Sequence, residues 1–109
     1  MPVNYKILGQ VAPSATTETD LYTVPTATET IISSIVICNR SSSSATFRLS
    51  ISADGAATAT KDYQAYDTTI AGNGIQIMTV GFTINAADKV RVYASSANLS
   101  FSAYGSEIS

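Results

Sequence analysis

The chain has no histidine, no tryptophan, one cysteine, three prolines and few charges. Each shortage closes off some chemistry. Without histidine there can be no Ser-His-Asp or Cys-His catalytic arrangement and no imidazole metal ligand. With Cys38 alone there is no intrachain disulfide and no thiol pair for a metal. Cys38 closes the apolar run Ile35-Val36-Ile37-Cys38, a setting that predicts a small buried hydrophobe rather than a reactive thiol. A net charge of −2, with six basic residues spread along the chain, leaves no electrostatic footprint for nucleic acid. No apolar run approaches the length of a membrane span. The start, MPVNYKILGQVAPSATT, lacks the charged opening and apolar block of a signal peptide. The expectation is a chain made in a cytoplasm, with neither nucleic acid nor membrane as partner.

Hydrophobic residues make up 45 % of the chain and charged residues only 13 %. That charged share is about half the usual one. Serine and threonine fill about a quarter of the positions, and both suit pleated surfaces. Low charge also removes the repulsion that keeps neighbouring copies apart. The chain of 109 residues is long enough for one domain, residues 1–109, with a modest core.

Strand patterns recur along its length. Lys89 to Ala94 and Leu99 to Tyr104 each alternate apolar and polar residues with the period of a strand. Joined at Ser96-Ala97-Asn98, they predict a hairpin pairing Ala94 with Leu99, Val92 with Phe101 and Val90 with Ala103. Earlier strands are predicted over Tyr5–Val11, with Gly9 as a bulge, and over Asp20–Val24, Thr28–Asn39 and Ala45–Ala53. Ala56–Asp62 is a loop or a single helical turn. Tyr63–Ile70 and Ile75–Ile84 flank Gly72-Asn73-Gly74, a strong hairpin signal. About eight strands with turns every 8–12 residues predict an all-β antiparallel sandwich, jelly-roll-like.

Two of these strands are apolar on both faces. In Thr28–Asn39, Ile31, Ile35 and Ile37 share one face while Ile32, Val36 and Cys38 share the other. In Ile75–Ile84, Ile75 and Ile77 oppose Met78, Val80 and Phe82. A bulge near Gln76–Met78 would explain the second by flipping its phase. A partner subunit over the outer face would explain both, because large exposed apolar patches are rare on monomers. The predicted self- or partner-contact set is Ile32, Val36, Met78, Val80, Phe82, Tyr93 and Tyr104. The N-terminal arm, Met1 to Tyr5, is expected either to reach a partner or to form the first edge strand.

The acids Glu18, Asp20, Glu29, Asp54, Asp62, Asp67, Asp88 and Glu107 are scattered over turns and strand ends, and no pair stands out for acid–base chemistry. Gly72-Asn73-Gly74 precedes no helix, so it is not a phosphate loop. No enzyme activity, cofactor or metal is expected. Tyr63, Tyr66, Tyr93 and Tyr104 could give an aromatic surface for saccharide or protein, or simply pack on the sheets, Tyr104 against Lys89.

Four stretches carry a resemblance: TDLYTVP (19–25), IVICNRSSSSATFRLSI (35–51), KDYQAYDTTI (61–70) and VYASSANLSFSAYGSEIS (92–109). Together they resemble a family of small virion structural proteins of tailed bacteriophages, known from phages of aquatic bacteria and cyanobacteria. The resemblance implies an all-β accessory of the virion with no catalytic residue and no cofactor. Its implied role is a capsid decoration or cement protein, a homo-oligomer (trimer or dimer) bound to the major capsid protein or another virion protein. The alternatives it leaves are a tail, neck or baseplate accessory that contacts host saccharide and, outside the phage, a cellular lectin-like module.

Overall fold

A computed structural model of the chain describes residues 2–109. It is all-β, with eight strands: β1 (Val3–Val11), β2 (Thr19–Thr23), β3 (Glu29–Asn39), β4 (Ala45–Ser52), β5 (Tyr63–Ile70), β6 (Ile75–Ile84), β7 (Lys89–Ala94) and β8 (Leu99–Ile108). Two short 3-10 turns, Ala53–Gly55 and Thr60–Asp62, lie between β4 and β5, the second within Ala56–Asp62, the stretch expected as a loop or one helical turn.

The strands form two four-stranded sheets, ordered β1-β8-β3-β6 and β2-β7-β4-β5. Every pairing is antiparallel, and β1 pairs β8, β2 pairs β7, β3 pairs β6 and β4 pairs β5. This nesting of first with last is the strand order of a jelly roll. It corrects both predicted hairpins. β7 and β8 lie in different sheets, and so do β5 and β6, so each connection arches from one sheet to the other. The inward phase of β7 and β8 is as expected, since Val90, Val92, Ala94, Leu99, Phe101 and Ala103 are all buried. Those residues face each other across the sandwich instead of pairing edge to edge. Two apolar strand faces are covered equally well either way, so alternation cannot distinguish a hairpin from an arch.

The core sits between the sheets around Phe47 and Phe101, whose rings meet edge to face at 6.1 Å. Gly9 is a bulge, as expected: the β1–β8 register shifts between Ile7 and Gly9. There the chain passes the Leu21 carbonyl so closely that a Cβ would collide with it. A second irregularity lies between Ile32 and Ser34 of β3, opposite Thr79–Phe82 of β6. The phase flip expected near Gln76–Met78 does not occur. β6 keeps one alternation, with Met78, Val80, Phe82 and Ile84 towards the core and Ile75, Ile77 and Thr79 exposed. The flip lies instead at Ser33 of β3. It brings Ile32, Ile35 and Ile37 to the same inner face, all fully buried.

At one end of the sandwich a buried polar cluster joins the sheets. The Tyr22 hydroxyl donates to Glu107 Oε2 at 2.6 Å and shares a 2.7 Å hydrogen bond with the Thr30 hydroxyl. Lys6 Nζ donates to Glu107 Oε1 at 3.2 Å. The Tyr22 hydrogen bond, and then Lys6, hold the Glu107 carboxyl below its ordinary value near 4.5 against the opposing effect of burial. A depressed folded-state pKa stabilises the fold above the unfolded value, and that contribution is lost as pH falls through the folded one. Urea midpoints should therefore drop as pH is lowered below about 4.5. Glu107→Gln should be less stable than wild type at pH 7 and should show a shallower acid limb. Asp20 and Asp62, also held low, supply the limb that remains.

Candidate interface: one uncharged outer face

The two outer faces of the sandwich differ in chemistry. On the β2-β7-β4-β5 sheet, Asp20 bridges Lys89 at 2.9 Å and Arg91 at 3.2 Å. Arg48 bridges Asp67 at 2.7 Å and lies over the rings of Tyr66 and Tyr93, 4.3 Å from each centroid. Arg91 reaches further, to Ser52, Thr58 and the Gly55 and Ala56 carbonyls, and so holds the β4–β5 connection in place. Beside this array, Thr58, Ala59, Thr60, Tyr63 and Tyr66 line a shallow depression of about 470 Å³.

The outer face of the β1-β8-β3-β6 sheet carries none of this. Register and alternation turn Val3, Tyr5 and Ile7 of β1, Ser102, Tyr104 and Ser106 of β8, Ile31, Val36 and Cys38 of β3, and Ile75, Ile77 and Thr79 of β6 outward. Seven large hydrophobic side chains are exposed among the described residues, and six of them lie here: Val3, Tyr5, Ile7, Ile31, Ile75 and Ile77. Tyr5, at 85 % exposure, is the most open. Among outward strand positions only Glu29, at the rim, is charged. Small residues between larger ones leave a depression of about 470 Å³, lined by Tyr5, Ile31, Ser33, Tyr104, Gly105 and Ser106 and, at the β1 edge, by Lys6.

The predicted contact set divides three ways. Val36 and Tyr104 lie on this outer face, each half-buried among its neighbours. Tyr93 lies on the opposite face, stacked on Arg48. Ile32 is fully buried, so it cannot meet a partner; the irregularity at Ser33 turns it inward. Met78, Val80 and Phe82 are half-buried and pack on the core, so β6 turns Ile75 and Ile77 outward instead. Tyr104 and Lys89 do not pair, since they belong to different sheets. Cys38 is half-buried on the outer face, opposite Ile75, rather than in the core.

Val3 and Tyr5 fall in the arm expected to reach a partner or to form the first edge strand; sequence reasoning missed Ile7, although its alternation with them is plain. Apolar alternation ordinarily marks an inner face, whereas in β1 the alternate position holds Lys6, half exposed and hydrogen-bonded to Glu107. Met1 of the predicted arm lies outside the described residues; Val3 onward is the edge strand β1.

The ionisable side chains are largely engaged in structure. Asp62 accepts from the Ala59 amide and Ser52, and Asp88 accepts from the amides of Asp54 and Asn85. Among the described residues no group of three or more Cys, Asp or Glu is placed to hold a metal. Compared with protein-family models and with curated proteins, the chain matches none.

Proposed function

We propose that the chain is a non-enzymatic structural protein of a tailed-phage virion that docks through its uncharged sheet face. Within that class the role is a capsid decoration or cement protein on the outer head shell. The observation that carries the docking role is the asymmetry of the two outer faces. Among the described residues, one holds six of the seven exposed large hydrophobics, with charge only at its margins, Glu29 and Lys6; the other is laced with ion pairs. Broad apolar surface on a small soluble domain marks a contact site. A shell-bound protein needs one face for the shell and one for water, and the sandwich supplies both. The resemblance of the four sequence stretches supports the virion setting. The jelly roll is compatible with it but serves many functions. On this proposal the partner is the major capsid protein or another virion protein, and the chain is made in the host cytoplasm and resides in the particle.

A tail, neck or baseplate accessory is the second reading. The depression beside Tyr63 and Tyr66 favours it, because aromatic rings beside threonine hydroxyls suit a saccharide. Copy number separates the two. Quantitative mass spectrometry of purified particles should find hundreds of copies per particle for a decoration protein and only a few for a tail part. Particles devoid of the chain would overturn both.

A further inference from the structure

The two sheets leave four edge strands, β1, β6, β2 and β5. An edge strand presents unpaired N–H and C=O groups, and charge, proline or a bulge ordinarily guards it against pairing with another chain. Lys6 lies on β1, Asp20 on β2 and Asp67 on β5. β6, IQIMTVGFTI, has no charge and no proline along its 10 residues. Its flanks from Gly72 to Ala87 are uncharged as well. Ile75 and Ile77 on this strand are 62 % and 58 % exposed. The irregularity at Val80–Gly81 twists the second half, which leaves Ile75–Thr79 as a regular run paired one for one with Ser34–Cys38.

We infer that β6 is a self-pairing edge. Ile75–Thr79 of one copy adds antiparallel to the same segment of a second copy, about a two-fold axis normal to the sheet. The occupant is a second copy because both symmetry and charge favour it. An antiparallel pair of identical strands closes on itself, and a register centred on Ile77 sets Ile75 opposite Thr79 with every side chain kept on its own face. No like charges meet. The same operation on β1, β2 or β5 would bring Lys6, Asp20 or Asp67 towards its own copy. The two uncharged outer faces then lie side by side in one eight-stranded sheet, so pairing doubles the docking face without covering it. A ladder of this length spans roughly 17 Å, well short of a standard interface. The dimer is therefore weak and concentration-dependent.

Light scattering of the full chain over a wide concentration range tests this. The mass should rise from one chain, 11.4 kDa, towards two. Ile77→Lys should hold it at one. Ile7→Lys, on the same face but at the far edge strand, should still dimerise. Both sites are more than half exposed, so lysine is tolerated in the fold. Amide exchange of the wild type gives a second measurement that needs no variant: protection should rise with concentration in β6 and not in β1. A single-chain mass at every concentration, a trimer, or a dimer that Ile7→Lys dissolves and Ile77→Lys keeps would each overturn the pairing. A monomer would leave the shell-docking role intact, because that role is read from particle composition.

Discussion

Ile32→Lys should leave the chain unfolded, whereas Ile31→Lys, one residue earlier in the same strand, should change stability by no more than about 0.5 kcal/mol. Ile32 is fully buried on the inner face of β3, opposite Gly105 on one side and Phe82 on the other. A lysine there would place a lone ammonium among hydrocarbon, at a cost of several kcal/mol even after water penetration. A domain of this size has only about 5–15 kcal/mol of stability to lose. Ile31 is 38 % exposed and faces out, so a lysine there can reach water. Unbroken alternation through Ile35 would predict the reverse, with Ile31 in the core. The pair of variants therefore tests the irregularity at Ser33 that decides which face is which. Far-UV circular dichroism and thermal unfolding read the outcome.

Gly105→Ala should cost more than about 3 kcal/mol in urea unfolding. Gly105 lies on β8 between Lys6 and Ile32, and a Cβ there would collide with the Ile31 carbonyl oxygen. That atom belongs to the backbone of β3, so relief requires the β3–β8 ladder itself to move. Gly81→Ala is the control: a Cβ at Gly81 meets nothing within 4 Å. It should be neutral, or stabilising by up to about 1 kcal/mol through the less flexible unfolded chain. Equal effects from the two alanines would mean that the strands at Gly105 are less tightly apposed than described.

The fold was largely legible in sequence because its strands alternate cleanly and their turns are polar. Val90, Val92 and Ala94 in β7 and Leu99, Phe101 and Ala103 in β8 show their inner faces directly. What alternation could not give was the partner of each strand. Asn73-Gly74 and Ser96–Asn98 carry turn chemistry that serves an arch between sheets as well as a hairpin within one. Asn73 does take a left-handed φ of 54°, but its neighbouring glycines do not, and the strands it joins part company. The jelly roll requires such crossings at all but one of its connections between consecutive strands.

The contact face was harder to read, for two physical reasons. The irregularity at Ser33 exchanges inside and outside within one strand, whereas unbroken alternation sets Ile32 on the same face as Val36 and Cys38. In β1 the usual rule is inverted: Tyr5 and Ile7 lie on the outer face while the half-exposed Lys6, on the other, reaches a buried carboxylate. A lysine with a waiting Glu107, 101 positions along the chain, leaves no local signal.

The most direct test uses two exposed tyrosines on opposite faces, Tyr5 and Tyr66, at 85 % and 56 % exposure. Each is replaced in turn by a photo-cross-linking phenylalanine analogue, the protein is assembled into particles, and the cross-linked peptides are identified. Docking through the uncharged face predicts that position 5 cross-links to another virion protein and that position 66 does not. Cross-links from position 66 alone would contradict it and would put the ion-paired, tyrosine-bearing face against the particle.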